Sequence, residues 1–253
     1  MWSKYLVCAC AAGFVVVLAG CGNSSAAPTP TVTVTATSSA AASLSPALLP
    51  QLNGIVLRST DLPKGWLGTP HREDPNEAAN DAALAKCVGF RDIDTDQVAE
   101  ANSADFVLGS ASISSSADSF RSQSDVDSDI AMLHSPKVST CSDQQLVKQL
   151  ATSLPKGATI ASASIKIMPG SAGGPANVVA NGTGSIKVSM TSQQAAVYET
   201  AALSTGEVIY STVDFITGPM IEAEVDTSSL GTPISASLVK SLVADVATRA
   251  AKG

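Results

Sequence analysis

"EVIYSTVDFITGPMIEAEVD", Glu207 to Asp226, decides how this chain folds. Two runs rich in apolar residues flank a Gly-Pro pair, Gly218-Pro219. In the second run Ile221, Ala223 and Val225 alternate with Glu222, Glu224 and Asp226. Successive residues of a strand point to opposite faces. The alternation therefore predicts a strand with one buried face and one wet face, the mark of an antiparallel sheet. On this reading the three carboxylates are solvated or form a protein-docking surface.

Working outward, more strands precede this hairpin. "TIASASIKIM" (Thr159–Met168) leads into a Gly/Pro-rich loop. "SIKVSMT" sets Ile186, Val188 and Met190 on one side and Lys187 and Ser189 on the other. "AVYETAAL" turns through Ser-Thr-Gly206 into the opening stretch. Downstream, Thr232-Pro233 reads as the cap and first turn of a helix, because Pro suits the first helical position. Ile234, Leu238, Leu242 and Val246 fall in helical register and should cover the apolar sheet face.

Earlier segments read mostly as helices. "LNGIVLRSTDLPKGW" (Leu52–Trp66) is a short element ending in a Pro-Gly turn. "PNEAANDAALAKC" (Pro75–Cys87) is Ala-rich with an acidic start. Val126, Ile130 and Leu133 predict a helix over about 123–134, and Leu146, Leu150 and Leu154 another, from a cap near Thr140 to "PKG". Between them "SADFVLGSASISSS" (Ser103–Ser116) reads as one strand, bulged at Gly109. The fold class is α+β: an antiparallel sheet of about five strands packed against helices.

Residues 1–50 carry a different message. "YLVCACAAGFVVVLAG" (Tyr5–Gly20) is uncharged, follows Lys4, and at about 16 residues is short for a membrane span. It reads as a secretory signal. It ends in "LAGC", and Leu18, Ala19, Gly20 and Cys21 match the lipobox of bacterial lipoproteins. The resemblance implies cleavage after Gly20 and diacylglycerol on Cys21, with further acylation of the new amine. Two or three acyl chains anchor stably where one is marginal. The alternative is a plain signal peptide with an incidental cysteine. "GNSSAAPTPTVTVTATSSAAASLSPALLP" (Gly22–Pro50) holds no charge and no aromatic ring, so it reads as a tether with too little to bury. Three segments follow: 1–20 a removed signal, 21–50 the lipidated Cys21 and its linker, and 51–253 a single globular domain. The implied address is the extracytoplasmic face of the cell membrane.

Removing residues 1–20 takes away one of 15 basic residues and leaves 22 acidic ones, a net charge of −8. Such a chain repels polyanions, and with 4% aromatic residues it lacks a stacking platform for bases. Nucleic acid is excluded as a partner. Of the five cysteines, Cys8 and Cys10 fall in the signal and Cys21 takes the lipid. The remaining pair, Cys87 and Cys141, is expected to form a disulfide in an exported protein. Free buried thiols and a metal pair are the other readings.

Catalytic signatures are missing. "GSAGG" (Gly170–Gly174) lacks the spacing of a serine-hydrolase elbow and reads as a hairpin connection. His71 reads as a polar-loop residue, and His134 as the end of a helix whose dipole favours a cation. Asp125, Asp127 and Asp129 sit in a helix's first turns. As a calcium cluster they lack the loop glycine and the bidentate Glu. Trp66 reads as a lid on the core rather than a ligand platform, and Asn181-Gly-Thr183 is a glycosylation sequon by pattern only. No catalytic residue, metal or cofactor is expected.

The element order, with "DLPKGW" near the domain start, resembles globular modules of actinobacterial (mycobacterial-type) envelope lipoproteins and extracytoplasmic sensor-type domains, some with PsbP/Mog1-like sheets. The resemblance implies a non-catalytic binding module, with an envelope protein or an apolar small molecule as partner. A carrier of lipid or another apolar ligand is the alternative, and a hydrolase a more distant one. An interaction module predicts a filled core with an exposed acidic or apolar patch. A carrier predicts a cavity.

Overall fold

The computed structural model describes residues 45–71, 76–92, 94–153, 159–170, 175–189 and 208–252. The signal, the lipobox, most of the linker, the "AVYETAAL" strand, Met190 and Leu154 lie outside them.

The chain is α+β, as the alternation requires. Among the described residues the sheet has eight strands, not about five. These are β1 (Leu67–Thr69), β2 (Gln97–Asn102), β3 (Asp105–Leu108), β4 (Ala111–Phe120), β5 (Thr159–Pro169), β6 (Val178–Ser189), β7 (Val208–Gly218) and β8 (Ile221–Leu230). All pair antiparallel in the order β1-β3-β4-β8-β7-β6-β5, and β2 joins β4 on the edge that β3 leaves open. The undercount has three causes. β1, "LGT", is only three exposed residues with no apolar alternation. β2, "QVAEAN", has only small or polar residues beside one valine. Gly109 is not a bulge but the first residue of a two-residue hairpin loop, with Leu108 paired to Ala111 and a φ of +60°.

Helices cover both faces. On one lie α1 (Leu49–Ile55) and the C-terminal α5 (Ala236–Ala250). Leu242, Val246 and Ala247 pack there with Ile221, Ala223, Val225, Ile113 and Ala117 in the main core, and Trp66 packs against its rim. The cap of α5 is Ser235, whose hydroxyl accepts from Leu238 N–H, rather than Thr232. On the other face lie α3 (Gln123–Leu133) and α4 (Val138–Ser153). Phe120 packs on Val126, Ala180 and Phe215 on Leu133, and Ile165, Ile186 and Val188 on Leu146. Outside them α2 (Glu77–Val88) packs on α4, where Cys87 and Cys141 are bonded with Cα atoms 5.9 Å apart.

Two devices fix this second layer. β5 is an edge strand, and α4 shields it: Asp143 and Ser139 accept from the N–H groups of Ile165 and Ile167. The β7–β8 hairpin turns on Pro219 and Met220, and Met220 takes a φ of +55°. Its carbonyl accepts from Phe120 N–H at 2.9 Å and its N–H donates to Gln123 Oε1 at 3.0 Å. The start of α3 is thereby tied to the hairpin of β8.

Arg249 fastens the last turn of α5. Its guanidinium donates to Val56 O at 2.8 Å and pairs with Asp61 Oδ2 at 2.7 Å. The Asp of "DLPKGW" is thus an ion-pair partner within the fold. Arg249→Ala takes the cation from a mostly buried carboxylate, which keeps only the Arg58 N–H, and leaves the Val56 carbonyl without its donor; it should cost about 2 kcal/mol in denaturant unfolding. A loss under a few tenths would show the contact idle.

Candidate binding groove and carboxyl chamber

β8 lies between β4 and β7, which close its edges, while α5 covers one of its faces and α3 the other. Glu222, Glu224 and Asp226 are therefore buried, Glu224 at 1% exposure. This corrects the expectation of a wet or docking face. The alternation is real, but α3 and its neighbours cover the polar side. Cross-strand pairing sets Asp118 opposite Glu222, Ser116 opposite Glu224 and Ser114 opposite Asp226. From above, α3 contributes Asp129, which is hydrogen-bonded to Glu222.

Burial is the main reason the Glu222 carboxyl sits well above its ordinary range; Asp129, Asp118 and Glu224 add charge repulsion. Its hydrogen bond to Asp129 favours the protonated form further. Its Oε1 has no hydrogen-bond partner. Asp214 of β7 is raised by burial too, partly offset by the Asn181 amide, which donates to it at 2.9 Å. That bond occupies the sequon asparagine mid-strand. Asp143 is raised by burial against its bond from Ile165.

Two hollows adjoin Glu222, Glu224 and Asp226. The larger is an open groove crossing β5 to β8 on the α3/α4 side, with about 30 Å3 of room for water-sized groups, and its described lining comes from strands. Gly184 pairs with Ile165 and Ser211, and Gly182 with Ile167 and Val213. A Cβ on Gly184 would meet Ser211 Oγ, and one on Gly182 would meet Val213. Glycine at these two positions leaves the floor low, with the isoleucines as one wall and Phe215 and Val213 opposite. The inner end reaches Glu224 and Asp226. The smaller hollow, with about 10 Å3 of room for a water-sized group, lies under α3 and is lined by Asp129, Glu222 and Glu224. Phe215 and Glu224 border both.

The other candidate residues are dispersed. His71 is half-buried rather than a free loop residue, and its Nδ1 pairs with Asp105 Oδ1 at 2.9 Å, tying the end of β1 to β3. Among the described residues no hydroxyl or thiol is bonded to its ring. His134 caps α3, and its Nε2 bonds to Val179 O at 2.9 Å. Asp125 and Ser122 form a capping box. The Ser122 hydroxyl, aided by Arg91, holds Asp125 below the usual carboxylate range. Asp127 is exposed and accepts from Gln123, while Asp129 turns to the sheet. The three aspartates thus serve three ends, and among the described residues no group of three His, Cys, Asp or Glu is placed to hold a metal ion.

No protein-family model matches the chain, and no curated protein matches its sequence.

Proposed function

We propose that this is a lipid-anchored cell-envelope lipoprotein whose globular domain is a non-catalytic binding module for an apolar ligand. The anchor rests on Leu18-Ala19-Gly20-Cys21 after an uncharged run, followed by a tether without charge. Among the described residues no helix is long and apolar enough to cross a membrane, which is compatible with lipid attachment. The ligand role rests on the groove. A strand surface kept hollow by Gly182 and Gly184, walled by Ile165, Ile167 and Phe215, and ending on a few polar groups, has the make-up of a small-molecule site. This favours the carrier-like reading over a docking surface of exposed carboxylates, since those carboxylates are buried.

The anchor predicts that Cys21→Ala moves the protein from the membrane fraction to the soluble fraction; full retention in membranes contradicts it. The groove predicts that phenylnaphthylamine, a neutral dye bright only in apolar surroundings, lights up with the full chain carrying Cys21→Ala. Adding Gly184→Val should weaken that binding at least about tenfold, because the valine fills the floor while Ser211 rotates aside and the strand gains a good strand former. Equal dye binding by both variants removes the groove as the site.

Leu67 (69% exposed) and Leu108 support a second reading, a protein contact at the β1–β3 edge. Replacing both with Ser should leave dye binding unchanged and abolish any such contact.

A further inference from the structure

We propose that the groove selects an apolar molecule with a cationic head, a protonated amine whose hydrocarbon lies on Gly182 and Gly184 and whose head passes Phe215 into the carboxyl chamber under α3. The inference rests on the groove being a ligand site and adds the chemistry of its ligand.

Three observations carry it. First, the two hollows share a border: Phe215 and Glu224 line both. Second, the chamber and the groove's inner end carry only acidic titratable side chains among their described lining: Asp129, Glu222, Glu224 and Asp226. Third, Glu222 is 5% exposed and its Oε1, inside the chamber, has no hydrogen-bond partner. A buried carboxyl oxygen without a donor is costly, and an ammonium supplies three donors and the opposite charge. A carboxylate or phosphate head would meet like charge in a low-dielectric space and be rejected. An alcohol could donate one bond but not neutralise the cluster. The chamber's free space, about 10 Å3, takes one water-sized group, the size of an ammonium head.

The test is calorimetric titration of the full chain carrying Cys21→Ala with three probes of one chain length: decylamine, decanol and decanoate. The expected result is binding of decylamine at least about tenfold tighter than decanol, and no measurable binding of decanoate. Glu224→Gln should erase the preference for the amine while leaving decanol binding in place. Asp226→Asn is the second variant should Glu224→Gln fail to fold. Decanol or decanoate binding as tightly as decylamine, or an amine preference that survives both variants, overturns the cationic head but leaves the groove standing. Failure of all three probes overturns the groove itself, and this inference with it.

Discussion

Glu222→Gln should make the protein more stable at neutral pH and flatten its dependence of stability on pH. The folded state holds the Glu222 proton far more tightly than the unfolded chain does. Below the ordinary glutamate range, about pH 4, both states are protonated and the side chain contributes its full stability. As pH rises, the unfolded chain ionises freely while the folded chain does not. Stability is therefore lost progressively up to the folded-state value. Glutamine keeps the shape and can still donate to Asp129, but it has no proton to lose. The charges facing position 222 are Asp118 from β4, Asp129 from α3 and Glu224 along β8, all acidic. The expected gain near pH 7 is on the order of 1–3 kcal/mol, or several degrees in Tm, shrinking to nothing near pH 4. Asp214 and Asp143, also raised by burial, contribute in the same direction, so some slope remains. Asp125, held low by Ser122 and Arg91, acts oppositely and loses its contribution as pH falls. Thermal unfolding of wild type and variant between pH 4 and pH 8 checks this. A variant that is less stable at neutral pH would mean that Glu222 stabilises the fold as an anion.

Removing the Cys87–Cys141 bridge should cost about 3–4 kcal/mol by the entropy of closing a loop this long, with a fall in Tm of roughly 6–15 °C. The bond spans a sequence separation of 54 and joins the last turn of α2 to the first turn of α4. The apolar packing of α2 is Leu84, Ala85 and Val88 on Met132 and Val138 at the outside of the layer. The double substitution Cys87→Ala/Cys141→Ala should therefore show its largest rise in amide exchange in α2, with the sheet protected until global unfolding. Even exchange across the chain would mean that the bridge stabilises the fold as a whole rather than this helix.

What the sequence conveys and what it hides follow from distance along the chain. The hairpin around Gly218-Pro219, the strand alternation of Ile186 and Val188 and the helical stripe of Leu242 and Val246 are local patterns, and each is found in place. The Cys87–Cys141 pair was legible from the expectation of export, under which an isolated pair oxidises. The carboxyl chamber was not legible, because alternation reports two faces but not what covers the second. A signal was nevertheless present. Helices α2, α3 and α4 carry apolar residues that need a surface, and α5 already occupies the apolar face of β8. The upstream helices had only the polar face left. The groove was further from reach, since it depends on Gly182 and Gly184 lining up with Ile165, Ile167 and Phe215 across three strands. In sequence those glycines read only as weak points in a strand. β2 was missed for want of apolar residues; it forms because Ala99 and Ala101 are small enough to sit in the core beside α1.

The central claim is that this domain holds an apolar molecule in the β5–β8 groove. Native mass spectrometry of the protein released from an envelope extract, beside its Gly184→Val form, tests it most directly. The account predicts a wild-type species heavier than the lipidated chain by one small molecule, lost on denaturation and missing from Gly184→Val. A bare mass for the wild type, or the same added mass on both proteins, contradicts it.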